Sequence, residues 1–247
     1  ELLIMAEACK RSSAGRVTAV MPYFGYARQD RKVAPRAPIT ARLVADLIQA
    51  AGVERVLTMD LHAGQIQGFF SIPVDNLYAQ PVLLRMLRNE VVTRDTVIVS
   101  PDAGGVERAR SYASKLEVGL AIIDKRRSGP NEAEVMHLVG DVRGKRAILI
   151  DDMVDTAGTL VKAGQAVKEY GAESVFAVCT HAVLSGSAVS LITESPFERV
   201  FATDTIPLSP AAQACKQIRA LSVASVFAEA IRSIHFNDSI SRLFLEP

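Results

Sequence analysis

The sequence has no cysteine pair at redox or metal-ligand spacing. Cys9, Cys179 and Cys215 are its only cysteines, and they lie far apart. That excludes a disulfide framework and a CxxC zinc site, and it fits reduced thiols in a cytosol. Apolar runs of membrane-spanning length are missing, as is a charged-then-apolar leader. Neither sign of charge is in excess. With 28 Lys and Arg against 27 Asp and Glu, the formal net charge of +1 excludes a broad electrostatic footprint for nucleic acid or anionic lipid. The expectation is a cytoplasmic, water-soluble protein with no nucleic-acid or membrane partner. An initiator methionine is also absent. The chain opens Glu1-Leu2-Leu3-Ile4-Met5-Ala6, already inside an amphipathic helical pattern, which predicts a preceding segment.

What is present is a globular composition: 49% apolar and 22% charged residues over 247 positions, enough for one large domain or two ordinary ones. Short β-branched runs predict strands at 16–21, 55–59, 96–100, 119–123, 147–150, 174–180 and 199–203. Longer helical periods between them predict helices at 39–51, 79–89, 106–116, 159–170 and 223–234. Gly52 and Gly171 sit just past two of those helices, where a left-handed residue is expected. Such alternation implies an α/β fold with parallel sheets covered by helices on both faces, and ligands at the carboxyl ends of the strands. A repeat supports two halves. Gly52, Glu54, Val56, His62 and Ala63 recur at one constant offset as Gly171, Glu173, Val175, His181 and Ala182. The same offset carries the helix beginning at Thr40 onto the one beginning at Thr159, which points to a duplication with its boundary near residues 75–79.

The sharpest signal is the stretch 147–159, a buried strand that ends in Asp151 and Asp152 and runs through Asp155, Thr156, Ala157, Gly158 and Thr159 into a helix. Backbone N–H groups at a helix start, with two threonine hydroxyls, form a phosphate site, and Ala157 and Gly158 let an anion approach closely. Paired acids would repel that anion unless they served another part of the ligand, and vicinal ribose hydroxyls are suitable donors to them. The stretch therefore reads as a grip on a sugar phosphate. The plainer alternative is a strand end followed by a helix cap.

Four other segments carry polar residues after strands. Residues 23–40 form an arginine-rich loop, including Arg28, Gln29 and Asp30, whose aromatics could flank a planar base. His62 lies just past a strand end, where imidazole can meet a metal or a phosphate, whereas its counterpart His181 is expected to be structural. Asp102, Ala103, Gly104 and Gly105 make a turn whose N–H groups could hold pyrophosphate, and Asp102 can ligate Mg²⁺. Lys125, Arg126 and Arg127 stand before Gly129-Pro130 with no hydrophobic reason to lie flat. Taken singly, each could be a solvated loop or an ordinary turn.

Residues 147–159 resemble the phosphoribosyl-pyrophosphate loop of type I phosphoribosyltransferases. The other four segments are similar to those of the ribose-phosphate pyrophosphokinases, in register over essentially the whole chain. That resemblance implies a fold of two duplicated phosphoribosyltransferase-like domains, at 1–77 and 78–232, with 233–247 packing back on the first. It implies transfer of the β,γ-pyrophosphoryl group of Mg-ATP to the C1 hydroxyl of ribose 5-phosphate, in nucleotide biosynthesis, by a homo-oligomer that is normally a hexamer. Arg28, Gln29, Asp30 and His62 would contact ATP, and His62 and Asp102 the Mg²⁺. Residues 102–105 would form the pyrophosphate loop. Asp151, Asp152, Asp155, Thr156, Ala157, Gly158 and Thr159 would bind ribose 5-phosphate, and Lys125 and Arg127 would be catalytic. Three alternatives share the 147–159 loop: a salvage phosphoribosyltransferase, a non-catalytic regulatory partner of the synthetase, and a transcriptional regulator that senses its product.

Overall fold

Each half of the chain forms its own sheet, because each carries apolar strand runs that must be covered by the helices beside them. The structure is a computed structural model, which describes residues 1–126, 135–241 and 243. It divides into a unit from Glu1–Tyr78 and a unit from Ala79–Pro247.

In the first unit, helix α1 (Leu2–Arg11) precedes strand β1 (Thr18–Met21), helix α2 (Thr40–Ala50) and strand β2 (Arg55–Met59). A 3₁₀ turn (Gly64–Phe69) then leads to strand β3 (Val74–Leu77). The three strands pair in parallel in the order β1-β2-β3. Ala41, Ala45 and Ile48 of α2 pack with Val56, Phe24, Ile66 and Phe70 to form the core.

The second unit contains α3 (Gln80–Glu90), β4 (Thr96–Ser100), α4 (Val106–Leu116), β5 (Gly119–Arg126) and β6 (Val135–Val139). It continues with β7 (Arg146–Val154), α5 (Gly158–Glu169), β8 (Ser174–Ala182), α6 (Ala188–Thr193), β9 (Phe197–Thr203), α7 (Pro210–Ala214), β10 (Ile218–Leu221) and α8 (Ala224–Phe236). Its seven strands lie in the order β10-β9-β8-β7-β4-β5-β6, and all pairs are parallel except β5 with β6. Strands β4 and β8 are buried throughout, as parallel strands covered on both faces should be. The described residues from Ser233 on fall within this second unit. No helix among the described residues is long and apolar enough to cross a membrane.

Several elements differ from the sequence pattern. β3 (Val-Asp-Asn-Leu) is short and half polar, and β10 (Ile-Arg-Ala-Leu) is short and interrupted by Arg219, so neither gave an apolar run. β6 is an edge strand, and α6 and α7 are too short for a helical period. β7 runs four residues past its expected end at Ile150, because β8 continues beside it and pairs Met153 with His181 and Val154 with Ala182. Asp151 and Asp152 therefore lie within a strand rather than beyond it. The repeat has a conformational counterpart: Gly52 and Gly171 take nearly equal left-handed φ values of 92° and 95° between helix and strand.

Candidate active site

Strand order decides what meets in the second unit. β7, β4 and β5 are consecutive neighbours and parallel, so the segments that follow them emerge at one edge of the sheet. Those segments are residues 155–159, the 102–105 turn and the cationic stretch beginning at Lys125. Side-by-side pairing thus gathers three motifs that are far apart in sequence. Of Lys125 only the backbone is described, at the end of β5, and Arg127 lies outside the described residues.

The 155–159 segment joins β7 to α5 without a side-chain cap. Ala157, at the N-cap, is buried and left-handed with φ 63°, a conformation that a non-glycine residue holds only under constraint. The first N–H groups of α5 are therefore without a side-chain acceptor, at the positive end of the helix dipole. A Cβ at Gly158 would meet nothing within 4 Å, so core packing does not require glycine there. What its missing side chain leaves open is the approach to the helix start. The Thr156 and Thr159 side chains are exposed, and neither hydroxyl has a partner among the described residues. These are donors that an anion can use.

Behind it stand the acids. Asp152 is buried and Asp151 half-buried, and the Asp151 Oδ1 accepts the Asp152 N–H at 2.8 Å. Burial, followed by the neighbouring Asp152 carboxyl, pushes the Asp151 pKa up to about 7, against a smaller opposing pull from Arg108. Across the β7–β8 pairing, burial and then the two acids push the Cys179 thiol far up, so it is neutral. Asp155 accepts a short hydrogen bond from the Ser185 hydroxyl, and the Leu184 and Ser185 N–H groups donate to the Val154 and Asp155 carbonyls. The turn after β8 thus braces the loop after β7.

In the 102–105 turn, the Asp102 Oδ1 accepts the Gly105 N–H at 3.0 Å, and its other oxygen has no partner among the described residues. A half-buried carboxylate beside exposed Ala103 and Gly104 fits Mg²⁺, which binds through one or two carboxylates and otherwise keeps water and substrate phosphate oxygens. A Cβ on Gly105 would come within 2.9 Å of the Ser100 Oγ, so glycine is needed there for close packing.

The first unit carries the remaining motifs. Phe24 and Ala27 are buried and anchor the loop after β1, with Phe24 edge-on to Phe70 at 6.0 Å, while Arg28 and Gln29 are exposed. The Gln65 Nε2 donates to the Asp30 Oδ2 at 3.2 Å, so this loop and the His62 segment meet. His62 is exposed. Its approach is fixed by the buried Asn76, whose Oδ1 accepts the Leu61 N–H at 3.1 Å. His181, its repeat counterpart, is buried with Nδ1 2.9 Å from the Thr205 hydroxyl, a structural placement as expected.

Comparison with known proteins decides which family these motifs mark. Residues 1–52 match the N-terminal domain of ribose phosphate pyrophosphokinase, and residues 127–245 match the phosphoribosyl synthetase-associated domain. The ribose-phosphate pyrophosphokinase of Chromobacterium violaceum is 56% identical over 247 residues, all of this chain and 75% of that one. That of Helicobacter pylori is 55% identical over 99% of this chain and 76% of its own. The chain belongs to the ribose-phosphate pyrophosphokinase family. A crystal structure of the phosphoribosylpyrophosphate synthetase of Mycobacterium smegmatis, 44% identical, superposes with a TM-score of 0.89 over 95% of this chain and 76% of that one. Pyrophosphokinase membership accounts for what the 147–159 loop alone left open, since the match extends through the first unit. Within this pyrophosphokinase fold the sequence pattern missed Arg108, Ser185, Asn76 and Gln65, which act on motif residues from other elements. No spacing rule in the sequence ties them to their partners.

Proposed function

We propose that this chain transfers the β,γ-pyrophosphoryl group of Mg-ATP to the C1 hydroxyl of ribose 5-phosphate, giving phosphoribosyl pyrophosphate and AMP. The observation that carries this reading is the β7–α5 segment, an uncapped helix start in front of a shielded acid pair, within a chain of this family. The 5-phosphate would take the first N–H groups of α5 with the Thr156 and Thr159 hydroxyls, and the Asp151 and Asp152 carboxylates would accept the ribose hydroxyls. The anomeric hydroxyl would then attack the β-phosphorus, forming a new bond from the C1 oxygen to phosphorus as its proton leaves to solvent, and the bond to the α-phosphate oxygen would break to release AMP.

In such transfers the protein chiefly aligns the reactants and neutralises charge that gathers on phosphoryl oxygens. Residues 102–105 would hold the pyrophosphoryl group by their N–H groups. Arg28, Gln29, Asp30 and His62 would take ATP, and Lys125 and Arg127 would close over the bound substrates. Asp102 and His62 would each be ligands for Mg²⁺, which supplies neutralisation of phosphate oxygens. The working protein on this reading is a cytoplasmic homohexamer. The test is AMP release from ATP that depends on ribose 5-phosphate and Mg²⁺. A regulatory partner would bind the sugar phosphate without releasing AMP, and a salvage transferase would consume phosphoribosyl pyrophosphate instead.

A further inference from the structure

Arg108 belongs to none of the sequence motifs, yet it reaches the acid pair from another element. It sits in the first turn of α4, the helix that starts directly after the 102–105 turn. Its Nη1 lies 3.3 Å from the Asp152 Oδ1 and 3.9 Å from the Asp151 Oδ1. Only 7% of the Asp152 side chain is exposed, against 31% of the Arg108 side chain. Two adjacent carboxylates, one of them buried, cannot both stay ionised cheaply without a counter-charge, and the Arg108 guanidinium is a cation that reaches both. The arrangement does not need an arginine for helix formation or core filling, since its neighbour Ala109 makes the core contact. It does need a cation at this point if the acids are to accept hydrogen bonds from sugar hydroxyls.

We propose that Arg108 is a positioning residue for ribose 5-phosphate, whose guanidinium keeps the Asp151 and Asp152 carboxylates charged and oriented for the ribose hydroxyls. It acts through the acids and does not touch the sugar. This deepens the function proposed above and rests on its reading of the acid pair as the sugar grip. It also makes α4 a direct link between the pyrophosphate turn at its start and the ribose site. Charge, rather than the guanidinium fork alone, is the property required, so lysine should serve in part and glutamine should not.

The experiment is calorimetric titration of the full chain and its R108Q and R108K forms, with ribose 5-phosphate and separately with Mg-ATP. R108Q is expected to weaken ribose 5-phosphate binding by roughly ten- to a hundredfold, the range for losing a charge-assisted contact, with ATP binding changed by less than about twofold. R108K should recover most of the loss. Equal binding by R108Q and the unsubstituted chain overturns the proposal, as does R108K performing no better than R108Q. A parallel loss of ATP affinity overturns it too, as does failure of both variants to unfold cooperatively, since the arginine would then be structural. If the unsubstituted chain itself does not bind ribose 5-phosphate, the reading of the acid pair falls and this proposal falls with it.

Discussion

Asp151 is held between opposing influences. Burial and Asp152 favour its neutral form, and Arg108 favours its charged form, with the balance near pH 7 rather than at the ordinary 3.8. The sign of the consequence follows from linkage. Below 3.8 the carboxyl is protonated in folded and unfolded chains alike, so its contribution to stability is fully present. Between there and about 7 the folded chain binds the proton more tightly, so that contribution falls as pH rises and is gone above 7. Asp151→Asn, which cannot ionise, should therefore raise the melting temperature by several degrees at pH 8 and much less at pH 5, as differential scanning calorimetry would show. The same variant should bind ribose 5-phosphate poorly at both values. For Arg127 the expected signature is kinetic. Arg127→Ala should cut kcat by about three orders of magnitude while leaving KM nearly unchanged, as for a cation that acts on the transition state. Steady-state rates over a range of both substrates would check it, and an equal loss in ground-state binding would contradict the assigned role.

At the scale of elements, α5 separates packing from binding within one helix. Gly164 faces β9, where an added Cβ would fall 2.6 Å from the Phe197 ring. Gly158 opens the same helix into empty space. Gly164→Ala should lower stability by about 1–3 kcal/mol through overpacking, measurable in urea, with little effect on affinity at the helix start. Gly158→Ala should keep or slightly raise stability, since alanine is the better helix former, yet weaken ribose 5-phosphate binding by about tenfold. Two identical substitutions six positions apart would then give opposite readouts. Gly164 met no rule in the sequence because its constraint comes from a phenylalanine on a strand three elements later. Gly158 was legible because the chemistry of a helix start is local.

For the whole molecule, assembly is the scale at which the expected hexamer is tested. The first unit leaves Ile4 and Met5 of α1 and Leu43 and Leu47 of α2 exposed, and the two leucines share one helix face at i and i+4. Sedimentation equilibrium should give six copies, and Leu43→Glu with Leu47→Glu should shift the mass to smaller species by placing charge on that face. Cooperative unfolding of the substituted chain would show that the fold itself is kept.

Much of the fold could be read from local pattern, for a physical reason. The apolar runs of β2, β4 and β8, the periods of α2 and α4 and the glycines that close α2 and α5 each reflect constraints acting within a few residues. The same holds for residues 151–159, where acids, small residues and a helix start are contiguous. By itself the sequence determined two duplicated α/β halves, the family and the motif residues. Only the tertiary structure decided that β4, β5 and β7 stand side by side, that β7 extends through its acids because β8 supports it, and that Arg108 and Ser185 reach residues 151–155 from elsewhere. Those are choices of strand order and side-chain reach across long stretches of chain. Backbone pairing and burial settle them, and no short window of residues contains both partners.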